Sequence, residues 1–139
     1  PGGNAGPFEL TASCDPLGPF IFEECFEAGA AGFTTSGFWH WVLFDLPGSA
    51  TELPAGAGAA GGSELPAGAQ MARNDFGTKD YGGAAPPSGH GPHRYFFVVH
   101  ALGADALGVD SDASPAVVGF LSNANILARA KLIVTYEVP

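Results

Sequence analysis

The sequence is poor in charge and in cysteine, and it lacks a long hydrophobic segment. Charged residues make up 14% of the 139 residues, and 14 acidic residues against 5 basic ones give a formal net charge of −9. Because an acidic chain without a cluster of Lys and Arg repels a phosphate backbone, we expect no nucleic acid partner. No apolar run approaches the roughly 20 residues that span a bilayer, so we expect no integral membrane association.

Signals for export, disulfides and cofactors are also missing. No basic segment followed by an apolar one opens the sequence, so we expect a soluble protein, with the cytoplasm as first choice and the periplasm or secretion left open. Cys14 and Cys25 are too few for a disulfide framework and match no zinc-binding spacing, although one bridge between them stays open. No Gly-Lys-Ser/Thr phosphate-binding motif occurs, and we expect no cofactor and no bound metal.

Glycine and proline, by contrast, are abundant, with 21 and 12 residues. Both residue types favour turns and ordered loops, so helix cannot dominate the fold. The hydrophobic residues, 46% of the chain with 11 Phe among them, suffice for one sizeable core. We therefore predict a mainly β protein in which residues 1–139 form a single domain.

Alternation of apolar and polar residues predicts the strands of the first half. Short strands are predicted at residues 8–11 and 20–22, whereas residues 13–36 are otherwise irregular. The strongest pattern lies at residues 38–46, where large apolar side chains fall on both faces. This segment is predicted to be a strand that is buried on both sides.

The second half predicts two strands and one helix. Residues 94–102 alternate as a strand that we expect to pair centrally, and residues 132–138 alternate as a closing strand. Between them, residues 115–129 carry apolar positions compatible with a helix, with Ser114 as the N-cap and Pro115 in the first turn.

The middle of the chain is predicted to be irregular. Glu-Leu-Pro-Ala-Gly occurs at residues 52–56 and nearly repeats at 64–68, but two short copies do not make a repeat protein. Residues 70–93 hold brief apolar pieces among Gly, Pro, Asn and Asp, which predicts a long loop. Since long loops in small domains commonly carry function, this loop is a candidate for the functional site.

Two segments carry side chains suited to binding an anion. His40 lies among large apolar residues, where burial disfavours a charged imidazole, so it is either a core histidine bonded to a carbonyl or part of a site. The Gly- and Pro-rich residues 81–92 lead into His93 and Tyr95, whose rings can donate hydrogen bonds alongside the backbone N–H groups of the loop. Together these groups predict an oxyanion site, although the loop could also serve only to route the chain.

Both segments resemble those of the phosphatidylethanolamine-binding protein family, also called Raf kinase inhibitor proteins, and its bacterial and archaeal branch in particular. The resemblance covers about residues 37 to 138. It depends on separated motifs in the family's order, namely Gly37-Phe38-Trp39-His40-Trp41-Val42, Asp45-Leu46-Pro47, Thr51-Glu52-Leu53-Pro54, Arg73-Asn74-Asp75-Phe76-Gly77, Tyr81-Gly82-Gly83, Pro86-Pro87, Gly91-Pro92-His93-Arg94-Tyr95, Leu127-Ala128-Arg129-Ala130 and Thr135-Tyr136-Glu137.

The resemblance implies a β-sandwich of two packed sheets with a few short peripheral helices. It also implies an open site for phosphate, acetate or a phosphoethanolamine head group, with an affinity for free phosphate of about 1 mM. The residues implied to line or shape this ligand-binding site are His40, His93, Tyr95, Trp39, Tyr81, Ala85 and Pro86.

One marker of the family is absent from the sequence. Members carry an Asp-Pro-Asp-Ala-Pro segment shortly before the Trp-His motif, whereas residues 29–33 here read Gly-Ala-Ala-Gly-Phe. Its carboxylates have no counterpart unless Asp15 replaces one of them. Fewer residues also precede the Trp-His motif than the family's early strands usually occupy.

The function implied is binding of a small anion or phosphorylated head group, with a regulatory or inhibitory role and no catalysis. One alternative is a protease or kinase inhibitor that acts through residues 48–69 or 77–93, and a homodimer is left open. Another is a metal-dependent hydrolase in which His40, His90 and His93 hold zinc. The sequence lacks the helical His-Glu-x-x-His spacing, which argues against the hydrolase.

Overall fold

The computed structural model describes residues 37–62 and 64–139 in full, and residues 8–9 and 20–28 by their backbone. The predictions on a Cys14–Cys25 bridge, Asp15 and residues 29–33 fall outside this part. Its elements, in chain order, are β1 (Phe8–Glu9), β2 (Phe20–Ala28), β3 (Phe38–Trp39), β4 (Val42–Leu46), β5 (Glu52–Leu53), β6 (Gln70–Met71), β7 (His93–Leu102), α1 (Pro115–Asn123) and β8 (Ile126–Tyr136). Within these ranges the helix α1, with 9 residues, is too short to cross a bilayer.

Six strands form one antiparallel sheet. Its order is β6-β4-β2-β7-β8, and β3 also pairs with β2. A separate two-stranded sheet joins β1 to β5. The prediction of a mainly β fold is confirmed, while the face-to-face packing of two sheets and a single domain over residues 1–139 stay predictions.

The strand predicted at residues 38–46 is divided in two, because its middle bonds to a loop. β3 and β4 are separated by two residues, the first of which is His40. The carbonyl oxygen of His40 accepts hydrogen bonds from the Gly82 N–H and from Asn74 Nδ2, both at 3.2 Å. Burial on both sides is correct for β4 but wrong at Phe38, which is 37% exposed.

β4 supplies the core from both of its faces, which explains why its sequence is apolar almost throughout. One face forms a cluster of Val42, Phe44, Ala72, Leu102 and Val118. The other face forms a cluster of Trp41, Leu43, Leu46, Met71 and Val99. In the second cluster the indole Nε1–H of Trp41 donates to Met71 Sδ at 3.0 Å, so the polar atom of the tryptophan is satisfied inside the core.

Asp45 lies in β4 with a left-handed backbone, at φ 55°, and its Oδ1 accepts a hydrogen bond from the Leu107 N–H at 2.8 Å. We expect Asp45→Ala to lower the free energy of unfolding by about 2 kcal/mol, because alanine loses the bond and tolerates this backbone poorly. Asp45→Asn keeps an acceptor oxygen and the tolerance for this conformation, so its loss should be much smaller. Urea denaturation of both variants checks this, and equal losses would contradict the explanation.

The helix predicted at residues 115–129 begins as expected but ends early. Ser114 is the N-cap, with its hydroxyl accepting from the Val117 N–H at 3.3 Å. After α1 ends, the Asn125 Nδ2 donates to the Leu121 carbonyl at 3.0 Å, and β8 starts at the next residue. The prediction of helix at residues 126–129 is wrong, because these residues pair with β7 instead.

β8 is a long strand at the edge of the sheet. It pairs with β7 from Leu102 opposite Ile126 to His93 opposite Tyr136. Its exposed large apolar side chains are Leu127, Leu132, Ile133, Val134 and Tyr136. The closing strand predicted at residues 132–138 is therefore real, but it begins earlier and ends at Tyr136.

The long loop predicted at residues 70–93 is confirmed over residues 72–92, between β6 and β7. Its first part is held to the segment before α1 by Asp112, whose Oδ1 lies 3.0 Å from both Arg73 Nη2 and Lys79 Nζ. The bond and charge of Lys79, aided by Arg73, lower the pKa of Asp112. Because these charges are exposed, they position the loop more than they stabilise the fold.

Candidate functional site

His40 is the centre of the candidate site. The residue is 1% exposed and lies in the gap between β3 and β4. Its Nδ1 is 2.7 Å from the carbonyl oxygen of Gly83, in the loop that leads to β7. Because a carbonyl oxygen only accepts, Nδ1 carries the hydrogen, and Nε2 is the acceptor of the neutral ring.

Burial determines the charge of this imidazole. It lowers the pKa of His40 below its usual range, while the hydrogen bond to Gly83 and the charge of Asp75 act in the opposite direction without outweighing it. His40 is therefore neutral at neutral pH. An anion that approached the ring would favour its protonated form, so binding of an anion and uptake of a proton would be coupled.

Strand β7 brings two other predicted residues to the site. Tyr95 is 1% exposed, and its ring centroid lies 5.5 Å from that of His40. His93 is 6% exposed and lies two residues earlier on the same strand, so it shares the face of Tyr95. The exposed His90 has its ring centroid 6.0 Å from that of His93. The sheet thus sets a phenol next to His40 and places His93 on the same face of β7 as that phenol.

Phe38 and Phe76 surround His40 on its outer side. Their ring centroids lie 5.2 Å and 5.3 Å from that of His40 and 4.7 Å from each other, all edge to face. Phe38 is 37% exposed and Phe76 is 47% exposed. We call these two residues the aromatic rim, because they face solvent while the imidazole lies inside.

Asn74 fixes the loop that carries Phe76. Asn74 is buried, with only 4% of its surface exposed. Nδ2 is within hydrogen-bonding distance of the carbonyl oxygens of His40, at 3.2 Å, and Asp80, at 2.6 Å, and of Thr78 Oγ1, at 3.1 Å. Oδ1 accepts from the N–H groups of Phe76 and Thr78 at 3.1 Å and 3.0 Å. One buried amide therefore sets the position of the rim relative to His40.

The residues predicted to shape the site lie in different environments. The Trp39 side chain packs against one of the core clusters. The Tyr81 ring lies 6.2 Å from the Trp41 ring, above the other cluster. Ala85 is exposed and Pro86 is buried, both shortly after the loop contact with His40. Direct contact of these four residues with a ligand stays a prediction.

The contacts also identify residues that sequence reasoning did not assign to the site. These are Phe38, Asn74, Asp75, Phe76 and Gly83. A usable signal existed, because the Arg-Asn-Asp-Phe-Gly segment at residues 73–77 belongs to the family motifs. Nothing in it, however, indicates which side chain turns inward and which lies at the mouth.

The zinc site of the hydrolase alternative is not formed. Across the described ranges, which include His40, His90 and His93, no three side chains of His, Cys, Asp or Glu are grouped so that they could hold a metal ion. The imidazoles of His90 and His93 are neighbours, and that of His40 has aromatic neighbours instead.

Comparison with known proteins agrees with this fold and site. Residues 28–137 match the sequence model of the family described as phosphatidylethanolamine-binding protein. The chain is 44% identical over 138 residues to the UPF0098 protein YbcL of Escherichia coli strain K12, which covers 99% of this chain and 74% of YbcL. It is 43% identical over 113 residues to the UPF0098 protein YbhB of the same organism, which covers 81% of this chain and 69% of YbhB.

Solved structures give the same result. The crystal structure of E. coli YbcL, described as a new member of the mammalian PEBP family, superposes with a TM-score of 0.80 at 40% identity, covering 91% of this chain and 75% of YbcL. A homologue from Chlamydia trachomatis, CT736, gives a TM-score of 0.72 at 20% identity over 96% of this chain and 80% of its own, which shows the fold alone.

The mainly β fold and the comparisons define a ligand-binding class of protein. The chain belongs to the phosphatidylethanolamine-binding protein family. Within that family it is similar to the bacterial UPF0098 proteins YbcL and YbhB, at 44% and 43% identity.

Proposed function

We propose that this protein binds a small oxyanion, in particular the phosphate of a phosphorylated head group, at His40 and Tyr95, and that it does so without catalysis. The observation that carries the proposal is the buried neutral imidazole of His40, held by the Gly83 carbonyl and set beside the phenol of Tyr95. Family membership supports a ligand at this site. An inhibitory role through residues 48–69 or 77–93, a regulatory role, and a homodimer stay predictions.

The donors for an oxyanion come from three parts of the site. The protonated His40 ring and the Tyr95 hydroxyl can each donate from a buried position. The backbone N–H groups of Ala84 and Ala85 lie next to the Gly83 contact and are used by no hydrogen bond of the described residues. Backbone donors and a proton-accepting imidazole together bind an anion although the chain carries a net charge of −9.

An NMR titration of the four histidine rings with inorganic phosphate and O-phosphoethanolamine tests the proposal. We expect the His40 ring signals of the wild type to shift saturably. In His40→Ala the remaining histidine rings should show no saturable shift, and in Tyr95→Phe the shift of His40 should be weaker. His100 is an internal control, because it is buried elsewhere on β7 with Arg129 Nε donating to its Nδ1 at 3.2 Å. Equal shifts of His40 and His100, or no shift of His40, would exclude the site.

Binding should also take up protons. In the free protein the pKa of His40 lies below its usual 6.5, and a bound anion raises it, so affinity should increase as the pH falls towards and below that value. For each unit by which the bound ligand raises the pKa of His40, lowering the pH can increase the affinity by at most about tenfold. The free protein should lose stability over the same fall in pH, because the unfolded chain binds this proton more readily.

Calorimetry with sulfate measures the uptake without titration of the ligand itself. The heat of binding at pH 6 should vary with the ionisation enthalpy of the buffer in the direction of proton uptake. The matched variant His40→Gln keeps a polar side chain that does not titrate, and its buffer dependence should vanish. If His40→Gln took up as many protons as the wild type, another group would be responsible.

A further inference from the structure

Strand β8 gives the six-stranded sheet one long open edge. In the part of the chain that the structure describes, β8 pairs with β7 alone, and the strands at the other edges, β3 and β6, have two residues each. β8 runs from Ile126 to Tyr136, and every residue after Ile126 is exposed. A short edge strand protects a sheet from pairing with another chain, whereas a long exposed one offers its free N–H and C=O groups. The β8 edge is therefore where a further strand can be added.

The side chains of β8 are apolar on both of its faces. Ile133 lies on one face and is 46% exposed. Leu132, Val134 and Tyr136 lie on the other face and are between 38% and 48% exposed. An antiparallel strand with one face in water usually alternates between apolar and polar residues, and residues 132–134 do not. Pairing with another strand would remove part of this apolar surface from water, which favours association.

Two cations on β8 restrict which strand can pair with it. Arg129 Nε donates to His100 Nδ1 at 3.2 Å and its Nη2 to Asn123 Oδ1 at 3.4 Å, so three of the five N–H donors of a guanidinium group remain for a partner. Lys131, two residues further along the same face, is exposed and makes no ion pair within the described residues. Cations on an edge disfavour pairing with an arbitrary strand, so a strand that pairs here needs an acid at the matching position.

Glu137 is such an acid, and it lies at the end of the same strand. It is exposed and follows the last residue of β8. The chain beyond it is held by the loop that precedes β7. There the Gly89 N–H donates to the Val138 carbonyl at 3.1 Å, and the Ser88 hydroxyl donates to the Pro139 carbonyl at 2.5 Å. Because both bonds come from the β7 side, they fix the backbone next to Glu137 without using its carboxylate.

We propose that β8 pairs antiparallel with β8 of a second copy of this chain, about a two-fold axis at Ile133. In this register Arg129 lies opposite Glu137 of the partner subunit, Lys131 is diagonal to that acid, and the apolar residues 132–134 of the two copies meet. An axis at Lys131 would instead set two lysines opposite each other. Because each copy supplies both the cations and the acid, the contact closes as a dimer and does not grow into a fibre.

Sedimentation equilibrium tests the dimer. One paired edge is smaller than a standard interface, so we expect a Kd of the order of 10 µM, with the mass rising from 14.1 kDa towards twice that value. Ile133→Lys sets like charges on the axis and should weaken dimerisation at least about tenfold. Leu127→Lys is the matched control and should keep the wild-type Kd, because Leu127 is 57% exposed on the same face but lies outside residues 129–137. A wild type that stayed monomeric at about 1 mM, roughly a hundredfold above this Kd, or that formed species larger than a dimer, would overturn the proposal.

Charge reversal with mixing tests the register. Arg129→Glu alone sets acids opposite each other in the dimer, and Glu137→Arg alone sets cations opposite each other, so each variant should dimerise at least about tenfold more weakly than the wild type. In an equimolar mixture of the two variants, opposite charges meet at both positions, and dimers of wild-type affinity should return. Recovery on mixing would also show that both variants fold. Wild-type dimerisation of either variant alone, or a mixture that stayed monomeric, would overturn the pairing of Arg129 with Glu137.

Discussion

Replacing Asn74 with alanine should lower the free energy of unfolding by about 3 kcal/mol or more and remove phosphate binding at the same time. The Asn74 residue is 4% exposed, and its amide bonds to the carbonyls of His40 and Asp80 and to the N–H groups of Phe76 and Thr78. Alanine leaves several of these groups buried without a partner. Because the same amide holds the loop against His40, stability and the geometry of the site should fail together.

Urea denaturation and the phosphate titration measure both effects. Asn125→Ala is the matched control, since the Asn125 amide donates to the Leu121 carbonyl at 3.0 Å in a less buried place, and its loss should be about 1 kcal/mol. Asn74→Asp keeps the acceptor but loses the donors and buries a charge, so it should be at least as harmful as alanine. Losses at Asn74 no larger than at Asn125 would show that the amide does not organise the loop.

Substituting Gly82 with alanine should open the site with little loss of stability. The new Cβ would overlap Cδ2 and Cε2 of the Phe76 ring, which lies against the Gly82 backbone. Since Phe76 is 47% exposed, its ring can swing outward to relieve the overlap. His40 would then lose an aromatic neighbour and regain water, so its pKa should rise towards its usual value.

A double-mutant cycle tests this mechanism through the histidine titration. Phe76→Ala alone should raise the pKa of His40 in the same way, and adding Gly82→Ala to it should have almost no further effect, because the ring is already gone. Gly103→Ala is the control, since its Cβ would meet Leu127 Cδ2 at 3.4 Å, an ordinary contact. If Gly82→Ala left the His40 titration unchanged, Phe76 would not be what shields the imidazole.

The elements that sequence predicted well are those with an uninterrupted local pattern. The alternation at residues 94–102 predicted β7, and Ser114 with Pro115 predicted the start of α1. The end of α1 was missed because residues 126–129 are compatible with a helix but form the start of β8, a strand that pairs with β7 at ten positions. Local propensity is a weak guide where long-range pairing is available.

In the candidate site too, local sequence motifs were informative and long-range contacts were not predicted. Family motifs identified His40, His93 and Tyr95, and the structure places Tyr95 directly beside His40. The partners that complete the site depend on loop conformation, such as the bond between Asn74 and His40 across 34 positions of sequence. No periodicity encodes a contact of this kind, so Asn74, Phe76 and Gly82 became visible only through the folded loop.

The position of β2 at the centre of the sheet has a consequence for synthesis on the ribosome. Its partners β3 and β4 follow soon after it, but its other neighbour is β7, whose Arg94 lies opposite Ala28 and whose Ala101 lies opposite Phe20. Such distant pairing delays folding, because the intervening chain must be closed into a loop first. Until Tyr95 and the rest of β7 have emerged from the ribosome, β2 therefore has an unpaired edge, and His40 lacks its partner Tyr95. During this interval the nascent chain depends on cellular factors that protect unpaired strands from aggregation.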